Sequence, residues 1–265
     1  MYNRLQLASK YLRYYLNASN GKGHGIHSPF VFEFITKVLN DKTHYPAYNE
    51  VEKLRRQLLA DQTVLTVDDF GAGSSISKTN QRAVASIARN AAKSRKFGQL
   101  LYRMVKFYRP QSIIELGTSL GITTSYLAKA KPDAKVITME GAKEVLTAAK
   151  KNFEALQILN IETVEGNFDH TLPTVMRQLA TINFAFIDGN HRLQPTIQYF
   201  ETILPKTDNF SIVILDDIHW SEEMEQAWKH CMHHPSVTLS IDLFFIGILI
   251  FRKEIKEKQH FVIRF

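Results

Sequence analysis

Ile113-Ile114-Glu115-Leu116-Gly117-Thr118-Ser119-Leu120-Gly121 is a short apolar run closed by two glycines, and a helical pattern opens at Ile122. A glycine directly after a strand permits a positive φ or a close backbone approach, and a second one opens the helix. Exposed N–H groups in such a turn can hold an anionic group of a ligand. Reading outward, short apolar runs alternate with amphipathic stretches. Val136–Met139, Ile161–Val164, Phe184–Ile187 and Ile212–Leu215 read as strands. Helical patterns over 142–157, 170–179, 193–204 and 221–231 separate or follow them. That rhythm predicts βαβ units and a mostly parallel sheet between helices. Val237–Ile241 and Phe244–Phe251 leave no room for a helix between them and read as an antiparallel terminal hairpin.

The second strand ends at Glu140. A carboxylate at that tip can accept hydrogen bonds from both hydroxyls of a ribose, which points to a nucleoside-containing cofactor. Three features favour S-adenosylmethionine over a dinucleotide. The loop lacks the G-x-G-x-x-G spacing. Glu115 stands just before its first glycine, suited to a cationic amino-acid group. The sheet closes in a hairpin rather than another βα unit.

Residues 1–110 differ in kind. Ser28-Pro29 is a good helix start, and Phe30, Val31, Phe34, Ile35, Val38 and Leu39 form one apolar face. Further helical segments are expected near 48–60, 79–93 and 97–108. The whole chain of 265 residues carries +7, yet the front 110 residues hold 18 basic and 7 acidic side chains. No consecutive basic block appears, so a solvated helical surface is the expected reading, with nucleic acid or an anionic substrate as the alternatives. The single cysteine, Cys231, excludes an intrachain disulfide. The N-terminus lacks a signal-peptide core, and the longest apolar run, Leu243–Phe251, falls far below the ~20 residues of a membrane span. We expect a cytoplasmic protein without membrane partners.

Residues 95–220 resemble the class I S-adenosylmethionine-dependent methyltransferases, closest to the catechol and caffeoyl-CoA O-methyltransferase type. The resemblance begins at Lys96-Phe97-Gly98-Gln99-Leu100-Leu101 and runs through Glu115–Ser125 and Glu140. It continues in Val164-Glu165-Gly166-Asn167 and Phe186-Ile187-Asp188, and ends in Leu215-Asp216-Asp217-Ile218-His219-Trp220. It implies an α/β, Rossmann-like, mostly parallel seven-stranded sheet. The resemblance does not cover residues 1–94, whose helical pattern suggests an N-terminal cap region before an S-adenosylmethionine-binding domain (95–265). It places Glu115, Gly117, Thr118, Ser119, Gly121 and Thr123 at the methionine end of the cofactor. Glu140 with Gly141 falls at the ribose, Asn167 and Phe168 near the adenine, and Asp188 beside the cofactor.

Asp188 ends one strand, and Asp216 and Asp217 end the next. Three carboxylates at the carboxyl edge of a sheet repel one another unless protonated, hydrogen-bonded or neutralised by a cation. Oxygen donors suit a divalent ion such as Mg²⁺. The resembled family holds a metal at these three places, with Asn where this chain has Asp217. His191 stands where that family has its lysine base, and a histidine is a competent base near neutral pH. His219 is a second candidate, with Asp188 as partner in the catalytic set.

Three further patterns carry less. Asp68-Asp69-Phe70-Gly71-Ala72-Gly73-Ser74 looks like a cofactor loop but no second acid-tipped strand follows, so a loop, or a lid, is expected. His230, Cys231, His233 and His234 read as a helix end rather than a zinc site. Tyr11, Arg13, Tyr14 and Tyr15 suit base stacking or ordinary helix packing. The leading expectation is methyl transfer to an oxygen of a small hydroxylated acceptor, possible as a homodimer. The alternatives are an RNA or protein methyltransferase using the basic front, and a non-catalytic S-adenosylmethionine-binding module.

Overall fold

The strand–helix alternation after residue 111 folds as its periodicity requires. The structure, a computed structural model, describes residues 1–67 and 80–265. The Asp68–Ser74 loop therefore lies outside the described residues. The chain gathers into two compact units: Met1–Asp41 with Gln178–Phe265, and Lys42–Arg177.

The first unit opens with α1 (Arg4–Asn17) and α2 (Pro29–Glu33). Asn3 caps α1 in a reciprocal box. Its side chain accepts the Gln6 N–H at 2.9 Å, and the Gln6 side chain accepts the Asn3 N–H at 2.9 Å, which satisfies two otherwise orphaned donors. Pro29 starts α2 as expected, although the Ser28 side chain makes no cap bond. From Phe34 to Leu39 the helix widens into a π turn, with the Asn40 N–H bonded to the Ile35 carbonyl at 3.0 Å. The sequence accounts for the widening. The apolar pairs repeat every four residues, slower than the 3.6 of an α-helix. A wider turn keeps Val31, Phe34, Ile35, Val38 and Leu39 on one buried side.

The second unit holds α3 (Pro46–Ala60), β1 (Val64–Thr66), β2 (Gln81–Ala83), α4 (Val84–Asn90) and α5 (Arg95–Tyr108). Then follow β3 (Ser112–Leu116), α6 (Ile122–Ala130), β4 (Lys135–Glu140), α7 (Lys143–Ala155), β5 (Ile161–Glu165) and α8 (Phe168–Gln178). β3, β4 and β5 are parallel, with Ile113 opposite Val136 and Val136 opposite Ile161. β1 and β2 form a separate antiparallel ladder. Parallel strands need helical crossovers, and α6 and α7 supply them.

The first unit resumes with β6 (Phe184–Ile187), α9 (Leu193–Ile203), β7 (Ile212–Asp216) and α10 (Glu222–His233). It closes with β8 (Leu239–Asp242), β9 (Ile246–Ile250) and β10 (Gln259–Val262). β6 and β7 are parallel, and β9 lies antiparallel between β7 and β8. The seven expected strands and the antiparallel hairpin are present, in a Rossmann-like, mostly parallel arrangement. The count is one short: β10 pairs parallel with β8. Its sequence hides it. Gln259-His260-Phe261-Val262 is only partly buried, whereas every residue of β6, β7, β8 and β9 is buried. An edge strand carries little apolar signal. Among the described residues no helix is long and apolar enough to cross a membrane.

Candidate active site

In the second unit, β3 delivers the chain to a turn whose backbone is set by β4. The Gly117 and Thr118 N–H groups both donate to the Met139 carbonyl, each at 3.0 Å. Gly117 has φ 103°, which side chains rarely adopt. Gly121 has φ 77°, and a Cβ there would lie 2.3 Å from the Phe153 ring. Space and conformation both demand glycine at that position. Ser119, without that freedom, is nonetheless held at φ 48°.

Glu140 holds Ser119 in place. One carboxylate oxygen accepts the Ser119 N–H at 2.9 Å and the other the Ala142 N–H at 3.0 Å, so the turn through Gly141 is closed by the same side chain. The acid at the tip of β4 thus ties its own turn to the glycine loop and presents an oriented, half-buried carboxylate.

Glu115 occupies a different place from the one expected. It is fully buried, turned into the layer between β3, β4 and α6. Its Oε2 accepts from the Thr124 hydroxyl and from the Thr138 hydroxyl, the latter at 2.7 Å. The Thr138 hydroxyl meets that of Thr118 at 2.6 Å. Glu115 Oε1 is buried without a hydrogen-bond partner among the described residues. Burial pushes its carboxyl up to about 7, against the two threonine hydroxyls, which favour the charge; the nearby Glu140 adds to the rise. Glu115 therefore supports the loop from behind through Thr138 and Thr118 rather than forming part of its exposed wall. Thr123 is likewise buried, on the first turn of α6. Asn167 caps α8: its side chain accepts the Asp169 N–H at 2.9 Å, and Phe168 begins the helix.

In the first unit the structure brings together Asp188, His191 and Asp216. Each offers one ligand atom, all within 4.8 Å of one another. Asp216 is fully buried at the end of β7, and His191 Nε2 lies 3.6 Å from Asp188 Oδ1. The chain after β6 makes a sharp return to achieve this. Asn190 and His191 are consecutive left-handed residues, at φ 68° and 45°, and the Asn190 amide donates to the Tyr199 hydroxyl at 3.1 Å. Non-glycine residues there carry local strain, which persists only where surrounding structure enforces it.

Asp217 is not part of that group. Its backbone is left-handed at φ 52°, and its carbonyl accepts the Trp220 N–H at 2.9 Å to close a turn. The ligand-competent set is thus two carboxylates and an imidazole, not the three carboxylates expected.

His219 is also separated from it. Its Nδ1 meets Glu225 Oε1 at 3.0 Å and its Nε2 meets Asp242 Oδ2 at 2.8 Å. Burial disfavours the charged imidazole, but the Asp242 and Glu225 carboxylates outweigh it and raise its pKa. An imidazolium bonded through both nitrogens has no lone pair with which to take a substrate proton, so the structure assigns His219 to a structural ion network. The other sequence patterns resolve simply. His230 pairs with Glu201 at 3.2 Å and Cys231 is buried in α10. Tyr11 and Tyr14 pack on Phe244, with ring centroids 5.0 and 5.2 Å away.

Residues 114–218 match the profile of a family described as a methyltransferase domain. No curated protein matches the chain. Among solved structures, a methyltransferase from Podospora anserina bound to S-adenosylhomocysteine is similar over 96% of this chain and 98% of its own. That pair shares 13% identity with a TM-score of 0.59. An O-methyltransferase from Bacillus cereus, in complex with S-adenosylhomocysteine, shares 18% identity at a TM-score of 0.56, covering 83% of this chain and 97% of its own. An O-methyltransferase from Streptomyces achromogenes involved in tomaymycin synthesis, in complex with S-adenosylmethionine, shares 17% at 0.56, covering 84% and 95%. At these identities the likeness shows the fold. The methyltransferase-domain match itself spans residues 114–218, less than half of the chain.

Proposed function

We propose that this chain transfers the methyl group of S-adenosylmethionine to a hydroxyl oxygen of a small acceptor, with His191 as the general base. The observation that carries the reading is the Asp188–His191 pair. A strained return after β6 holds an imidazole 3.6 Å from a carboxylate, the arrangement of a base and the group that orients it. His219 has both ring nitrogens bonded to carboxylates, whereas His191 meets Asp188 through Nε2 at 3.6 Å.

The glycine loop fits the cofactor's chemistry. Glu140 is fixed by two backbone N–H bonds at the tip of β4, where a carboxylate can accept from the hydroxyls of a ribose. Thr118, Ser119 and Gly121 form the turn that would meet the methionine end, and Asn167 and Phe168 flank the start of α8, where an adenine would lie. Bound there, the sulfonium would supply an electrophilic methyl group and leave as S-adenosylhomocysteine once that methyl is transferred. His191 would take the proton of the acceptor hydroxyl and so free its oxygen to accept the methyl group. The protein's contribution is orientation and proton removal.

The Asp188, His191 and Asp216 donors also fit a divalent cation, which would supply Lewis-acid stabilisation of an ionised hydroxyl. The imidazole gives the set a softer donor than Mg²⁺ usually takes, which favours Asp188 and Asp216 as ligands with His191 kept as base. The helices of the N-terminal region we assign to covering the acceptor.

The test is methyl transfer to a catechol, with and without Mg²⁺ and with EDTA. Turnover in the wild type, with S-adenosylhomocysteine binding retained in EDTA, supports the reading. Cofactor binding with no transfer to any hydroxylated acceptor would favour a binding module instead.

A further inference from the structure

The network around His219 has no part in the chemistry above, yet it joins the N-terminal helix to the loop that leaves Asp216. The Tyr2 N–H donates to the Trp220 carbonyl at 3.1 Å, and the Tyr2 hydroxyl donates to Glu225 Oε2 at 3.0 Å. The Lys10 ammonium, 4.3 Å from the centre of the Tyr2 ring, reaches both oxygens of Glu225 at 2.9 and 3.0 Å. Glu225 passes the contact to His219, and His219 to Asp242. Asp242 accepts the Phe244 N–H at 2.7 Å, and the Phe244 ring stacks on His219 at 5.1 Å while packing against Tyr11 and Tyr14 of α1. The circuit begins and ends on α1.

Four side chains of alternating charge are linked here: Lys10, Glu225, His219 and Asp242. They are 34%, 19%, 21% and 7% exposed. Half-buried pairs are screened less by solvent than surface ones, and a network holds its members more tightly than an isolated pair. His219 and Trp220 are two of the five residues between Asp216 and the first turn of α10.

We propose that Tyr2 and Lys10 are positioning residues for this site: through Glu225 and His219 they hold the loop over residues 217–221, and with it the presentation of Asp216 beside Asp188 and His191. The proposal rests on the methyl-transfer reading for its consequence, not for its geometry. The N-terminal helix is then a part of the framework of the acid–histidine group, and its undocking lowers turnover.

The experiment uses the full chain labelled with 5-fluorotryptophan and ¹⁵N-histidine. The Tyr2→Phe/Lys10→Met double variant should shift or broaden the Trp220 and His191 resonances. The buried Trp228 resonance should stay in place and report that the fold is intact. Lys10→Arg should restore the wild-type spectrum. Unmoved Trp220 and His191 resonances in the double variant would overturn the proposal. Should Trp228 move as well, Tyr2→Phe alone, which keeps the Lys10–Glu225 ion pair, is read against the same two resonances. With catechol as acceptor, kcat should fall about tenfold in the double variant, KM should change less than twofold, and S-adenosylhomocysteine affinity should hold. An unchanged kcat would also count against positioning. If the wild type does not methylate catechol, the methyl-transfer reading fails in that form, while the resonances still decide the placement of the loop.

Discussion

The glycine loop after β3 and the acid–histidine group at the ends of β6 and β7 are built in opposite ways. The first is made of backbone. Its turns are closed by N–H bonds to Met139 and Glu140, and its two glycines are set by backbone conformation or by the absence of a side chain. The second is made of side chains carried on a strained backbone, with Asn190 and His191 both left-handed. A binding cradle tolerates changes that keep the backbone path. A group of reacting side chains tolerates a change in path poorly, but it can exchange residues around its edge without losing its function. Substitutions in the two regions should therefore fail differently: the first by loss of cofactor binding or of fold, the second by loss of turnover alone.

The largest effect is expected at His191. His191→Ala should lower kcat by roughly 10²–10⁴-fold, the range for a lost general base, with S-adenosylhomocysteine affinity unchanged by calorimetry. A comparable loss of cofactor affinity would erase the contrast between the regions.

Next comes Gly121. An alanine Cβ would sit 2.3 Å from the Phe153 ring at a left-handed φ of 77°. Overpacking and the conformational penalty together should cost roughly 3–4 kcal/mol. Thermal unfolding should show the drop, and cofactor binding should go with it.

Glu115 sharpens the comparison through pH. Its carboxyl, near 4.5 when exposed, is raised to about 7 in the fold. The folded state therefore keeps a proton that the unfolded chain gives up. Stability is highest below about pH 4.5, falls as pH rises toward 7, and levels off above it. Linkage puts the loss between pH 5 and 8 at about 2–3 kcal/mol. Glu115→Gln, neutral throughout, should flatten that part of the melting-temperature curve. An unchanged slope would mean that another group sets it.

The smallest effect is expected at Asp217. It stands outside the Asp188–His191–Asp216 group, and asparagine tolerates its left-handed backbone well. Asp217→Asn should change turnover less than about threefold, whereas Asp216→Asn should reduce it severely. Equal losses in a steady-state assay would return Asp217 to the site.

This asymmetry also governs what could be read from the chain. The βα rhythm, Gly117, Gly121 and Glu140 were legible because glycine conformation and apolar periodicity are local properties. The strand β10 was not, since Gln259–Val262 takes its order from pairing with β8 rather than from its own pattern. At the acid group the residue types were legible and their partition was not. His219 and His191 look alike in sequence, and only the folded chain shows one bound between Glu225 and Asp242 and the other beside Asp188. Glu115 was readable as an acid before a glycine, but its direction was not, because Thr124 and Thr138 come to it from α6 and β4. The same limit hid the role of Tyr2 and Lys10, whose partner Glu225 is more than two hundred residues distant in sequence.

The central claim is methyl transfer to oxygen with His191 as base. It is tested most directly by incubating the protein with catechol and S-adenosylmethionine carrying a ¹³C-labelled methyl group, and following the label by NMR. The account predicts a new O-methyl signal and S-adenosylhomocysteine in equal amounts for the wild type, and neither on the same timescale for His191→Ala. Label transfer at the wild-type rate in His191→Ala, or its appearance on nitrogen or carbon of an acceptor and never on oxygen, would contradict it.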